Sequence, residues 1–172
     1  MSEAPDYCEP FVAWRVWRVV RAEGGYTLGS VIQPTLWRAG EPLAAHCRRS
    51  RERLTRLFGK TWHEAPQEGC VCGIYAGRLE GLGTYLAEAA CGGVARVIGQ
   101  VALWGTVVEC ERGFRASRAY PVRIYVPTDA GLAWRVSWDE VCLELARYGV
   151  PVEPLASPAS DAPRLLAERK AA

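Results

Sequence analysis

Asparagine is absent from this chain, lysine occurs twice among 21 basic residues, and the one methionine is the first residue. Such a bias toward arginine points to a GC-rich, thermophilic genome before it points to phosphate binding. No run approaches the roughly 20 apolar residues of a membrane helix, so no membrane partner is expected. The first ten residues carry acids where a secretion signal would carry bases, and no apolar segment follows them. Phosphate loops, dinucleotide fingerprints, His-Glu-x-x-His and Gly-x-Ser-x-Gly are all missing, which removes the common nucleotide-fuelled and hydrolase classes. Net charge is low as well, 21 bases against 19 acids in 172 residues, so no global field draws the chain onto nucleic acid.

What is present begins with seven cysteines, an odd number that argues against a disulfide framework and for a reducing cytoplasm. Cys91, Cys110 and Cys142 sit in apolar runs, where a thiol acts as a small hydrophobe. Cys47, Cys70 and Cys72 bracket His63 in a C-x15-H-x6-C-x-C spacing. Three thiols and an imidazole are a standard tetrahedral ligand set for structural zinc. The Gly- and Pro-rich segment 61–73 has little else to make it rigid. Cys-x-Cys is a less usual ligand spacing than Cys-x-x-Cys, which counts against the metal. The same residues also read as buried thiols with a turn histidine, or as a thiol nucleophile with His63 as base.

The fold expected is α+β: a strongly bent antiparallel sheet or small open β-barrel with two or three packed helices. Residues 11–21, 26–32, 74–76, 94–109, 114–119 and 122–126 have strand composition, and 150–153 suits an edge strand. Gly99 and Gly105 within the longest run predict bulges. Helices are expected over 42–58, with Cys47 on its inner face, over 79–90, and from Trp138 to Tyr148 behind a Ser137/Glu140 capping box. Residues 1–153 form one domain in this reading, and 154–172 a Pro/Ala-rich tail.

Two segments are locally basic: 38–60 with seven bases and two acids, and 111–135 with five and two. Arg48, Arg49 and Arg115, with Trp104 as a stacking surface and Glu109 beside Arg115, are candidate ligand contacts for nucleic acid. Equally, Glu109 and Arg115 suit a salt bridge supporting a hairpin. Seven tryptophans, several next to arginine, suit stacking platforms or anchors for a protein partner.

The segment Cys70-Val-Cys-Gly-Ile-Tyr-Ala76, preceded by His63-Glu-Ala-Pro66, resembles a pattern in a family of uncharacterised bacterial and phage proteins. There it is followed by motifs like Val97-Ile-Gly-Gln-Val-Ala-Leu-Trp-Gly105 and Gly113-Phe-Arg-Ala116. The resemblance spans roughly residues 10–125 and implies no activity. Together the residues indicate a non-enzymatic cytoplasmic binding module with a structural zinc site and a nucleic acid or protein partner. The alternatives are a Cys/His metal or thiol enzyme and an adaptor that uses exposed tryptophans.

Overall fold

Strand follows strand for most of the chain. The computed structural model describes residues 9–22, 24–47, 63–82, 95–128 and 137–155. Its strands are β1 (Phe11–Ala22), β2 (Gly25–Ser30), β3 (Leu36–Trp37), β4 (Leu43–Ala44), β5 (Ile74–Gly77), β6 (Ala95–Cys110), β7 (Gly113–Pro127) and β8 (Val152–Leu155). The one α-helix among the described residues is α1 (Trp138–Leu145), prolonged by a 3-10 turn at Ala146–Tyr148. All eight strands belong to one sheet, in which β1 pairs with β2, β5 and β6, and β7 with β4, β5, β6 and β8. Every pairing is antiparallel except β7–β8, which is parallel.

Among the described residues this is a mixed, strand-dominated sheet with one short helix, and it corrects the expected α+β fold of an antiparallel sheet or small open barrel with two or three helices. β5 reaches from β7 back toward β1, but that tie is the single pair Trp14–Gly77. The helix expected over 42–58 does not begin. Leu43 and Ala44 pair with Ala119 and Arg118 of β7, and the Ala45 amide donates to the Ser117 carbonyl at 2.7 Å. The open edge of β7 offers these backbone groups partners across about 75 residues of sequence, which a local 4-3-4-3 pattern cannot reveal. Residues 48–58 lie outside the described residues. Of the helix expected over 79–90, the 3-10 turn Leu79–Gly81 is seen, and 83–90 lie outside the described residues.

Both faces of the sheet are packed. Along β1, Ala13, Trp17 and Val19 join the main core, while Trp14 and Val16 join a second cluster with Ile98, Tyr125 and Leu155. That is the period-two alternation of a strand buried on both sides. α1 lays Val141 and Leu145 onto the main core, and the Tyr148 hydroxyl accepts from the Leu28 amide at 2.9 Å and donates to the Trp37 carbonyl. Arg15 is drawn inward rather than left on a wet face. It donates to the Tyr75 carbonyl and to Ser30 Oγ (3.1 Å) and lies over the Trp37 ring, and burial lowers its pKa to about 10. The helix starts where the sequence indicates, although Ser137 makes no side-chain capping bond.

The β6–β7 pairing slips between Gln100 and Val101 and again between Trp104 and Val107, as glycines in this run suggest. At the second slip Gly105 has φ +72°, and Ser117 Oγ accepts from the Thr106 amide at 3.0 Å. Among the described residues no helix is long and apolar enough to cross a membrane.

Candidate metal centre

Two separate stretches of chain deliver the four candidate ligands. Cys47 follows β4, three residues beyond its pairing with β7, and is buried. It therefore reaches the site from the segment just after a strand rather than from the helix face that its surroundings suggest. His63, Cys70 and Cys72 come from the loop that leads into β5. This loop turns on both sides of Cys70–Cys72. The Cys70 amide donates back to the Gln67 carbonyl at 3.2 Å, and Gly73 turns the chain at φ +122°. Two positions apart, Cys70 and Cys72 can present their thiols to the same side of the chain.

The sulfur and nitrogen atoms of Cys47, His63, Cys70 and Cys72 all lie within 4.8 Å of one another. Cys47 Sγ and Cys70 Sγ are 3.8 Å apart, and His63 Nε2 is 3.3 Å from Cys72 Sγ. Zinc–sulfur bonds of 2.3 Å at tetrahedral angles give a sulfur–sulfur edge of about 3.8 Å, and zinc–nitrogen bonds give a mixed edge of about 3.5 Å. The Cys47–Cys70 and His63–Cys72 edges are close to those of a tetrahedral ion, and all four donors are near enough together to hold a metal. They form no disulfide. Burial pushes the Cys72 thiol up, and the neighbouring Cys70 and Cys47 add to that, partly offset by a hydrogen bond from Gln67. Crowded thiols of this kind gain from a cation that stabilises their ionised forms.

A second layer holds the loop from outside. Arg115, on β7 opposite Tyr75 of β5, donates through Nη1 to the carbonyls of both Cys70 and Cys72, the latter at 3.0 Å. The Tyr75 hydroxyl donates to the Val71 carbonyl at 2.7 Å. Three consecutive carbonyls of the Cys-x-Cys turn are thereby taken. Arg115 Nε also lies 3.1 Å from Cys110 Sγ, a contact that raises the guanidinium pKa against the lowering effect of burial. Gly73 permits this contact between loop and sheet, since a Cβ there would meet Arg115 Cβ and Pro66 Cβ at 3.1 Å.

The remaining candidates are dispersed. Arg115 is 8% exposed and committed to the loop, so it does not present a charge to solvent beside Trp104. Glu109 pairs instead with Arg78 at 2.6 Å, both side chains well exposed. Trp104 is half-buried at the second bulge. Arg48 and Arg49 lie outside the described residues. Trp14, Trp17 and Trp37 are buried, and Trp104 and Trp138 are half-buried, so none of the described tryptophans stands out as an exposed anchor. The roles of Arg115 and Tyr75 at the loop were not signalled by sequence, because they depend on the β5–β7 register.

Comparison of the chain with protein-family models, with curated proteins and with solved structures finds no match.

Proposed function

We propose that this chain is a non-enzymatic binding module of the reducing cytoplasm, braced by one structural zinc ion on Cys47, His63, Cys70 and Cys72. The observation that carries this reading is the convergence of three thiols and an imidazole within 4.8 Å, with a 3.8 Å sulfur–sulfur edge. Four protein ligands fill a tetrahedral shell and leave no position for substrate, which favours a structural over a catalytic ion. A thiol enzyme is supported less well. The His63–Cys72 distance suits a base and its nucleophile, but burial raises the Cys72 thiol where activation needs it lowered.

The test is replacement of zinc by cobalt. One equivalent of Co2+ should give the visible and thiolate charge-transfer bands of a tetrahedral three-sulfur, one-nitrogen site. Cys70→Ser should abolish them and cost about 3 kcal/mol or more, roughly 6–12 °C in Tm for a chain of this size. An octahedral, pink cobalt spectrum in the wild type would rule the site out.

For the partner, nucleic acid is the class to test first. Arg112 and Arg118 are exposed on the β6–β7 hairpin, while the nearby Glu109 is engaged by Arg78. Affinity should fall steeply with salt, and Arg118→Ala should flatten the slope by about one unit if it holds a phosphate. Indifference to single- and double-stranded DNA and RNA at low salt would leave a protein partner as the reading.

A further inference from the structure

Arg115 is a buried cation, and among the described residues none of the ion pairs involves it. A guanidinium taken from water needs a compensating negative charge nearby. Its hydrogen bonds run to the carbonyls of the two residues that carry Cys70 Sγ and Cys72 Sγ, and to Cys110 Sγ. Two charges on zinc against three thiolates leave the proposed centre with one negative charge. We propose that Arg115 is the built-in counter-ion of this metal centre, neutralising the thiolate-bound ion while it clamps the Cys70–Cys72 turn.

The inference rests on the zinc reading and adds to it a residue that binds no metal. It explains why an arginine is buried where a shorter neutral donor could satisfy a carbonyl. It also explains why the turn is pinned by a charged group rather than by backbone alone. Outer partners of this type typically shift metal affinity roughly 10–100-fold. Arg115 is a positioning residue here, and its charge is the property to isolate.

The experiment measures zinc affinity of the full chain against a chromophoric chelator, with the Co2+ spectrum recorded for each variant. Arg115→Gln keeps donors for the carbonyls and removes the charge, whereas Arg115→Lys keeps the charge and loses the fork. Affinity should fall about 10–100-fold in Arg115→Gln and recover substantially in Arg115→Lys, with the tetrahedral cobalt bands unchanged in both. Cys110→Ser removes the other sulfur in contact with Arg115 and should leave zinc affinity as in the wild type. Should Arg115→Gln fail to fold, Arg115→Lys decides: affinity near wild type supports the counter-ion, and a loss of about 10–100-fold overturns it. Equal affinity in the Gln variant and the wild type overturns the counter-ion and leaves the zinc reading standing. So does a Lys variant no better than Gln, or a Cys110→Ser loss as large as that of Gln. A wild type that binds no zinc overturns both.

Discussion

Tyr148 shows how much one hydroxyl can hold in this protein. It ends the helical segment, yet its Oη takes the Leu28 amide of β2, donates to the Trp37 carbonyl of β3 and lies 2.8 Å from Thr27 Oγ1. Replacing it with Phe leaves a buried amide without its partner, at a cost of about 1–3 kcal/mol. Chemical denaturation of Tyr148→Phe should show that loss with an unchanged m-value. A loss below a few tenths of a kcal/mol would mean that the network is dispensable. Single residues were unevenly legible in the sequence. Cys47, His63, Cys70 and Cys72 stood out because few side chains ligate soft metals and they cluster around one of two histidines. Arg115 and Glu109 were placed as neighbours across a turn. Their partners, Cys70 and Cys72 for one and Arg78 for the other, lie 31 to 45 positions away.

Among the elements, the β6 bulge is the most tightly specified. A Cβ at Gly105 would stand 2.3 Å from Ser117 Oγ on a backbone with φ +72°. Gly105→Ala should therefore cost about 2 kcal/mol from the left-handed backbone and the contact together. Adding Ser117→Ala should recover the contact part, as a double-mutant cycle would show. Strict additivity of the two losses would contradict this account of the bulge. On α1, burial pushes the Cys142 thiol to about 11, with Asp139 adding to it. Because the raised pKa favours the neutral form in the folded state, its stabilising contribution is intact below the ordinary thiol range. That contribution is lost as pH climbs from about 9 to about 11. Cys142→Ala should lessen the alkaline fall in stability over that window, and an identical pH profile would contradict it. Strands were readable because β1, β6 and β7 carry their own alternation and β-branched residues. β4 was not, since two residues become a strand only when β7 supplies the bonds.

For the whole molecule, one strand of the sheet positions both stretches that carry the candidate ligands. β7 pairs with the strand that precedes Cys47, pairs with β5 beyond the Cys-x-Cys turn, and within that second pairing supplies Arg115. Zinc would thus tie two excursions of the chain to one strand, and its removal should loosen both. The expected barrel and the start of the helix expected at 42 failed at this scale. Local periodicity records which face of a segment is apolar, but not whether a distant strand offers it an open edge. The most direct test of the account is the metal content of the full chain, purified without added metal and weighed by native mass spectrometry before and after acidification. The account predicts one zinc per chain, retained at neutral pH and released by acid as the three thiolates and the imidazole are protonated. A chain that carries no metal, and whose Tm does not rise when zinc is supplied, would contradict it.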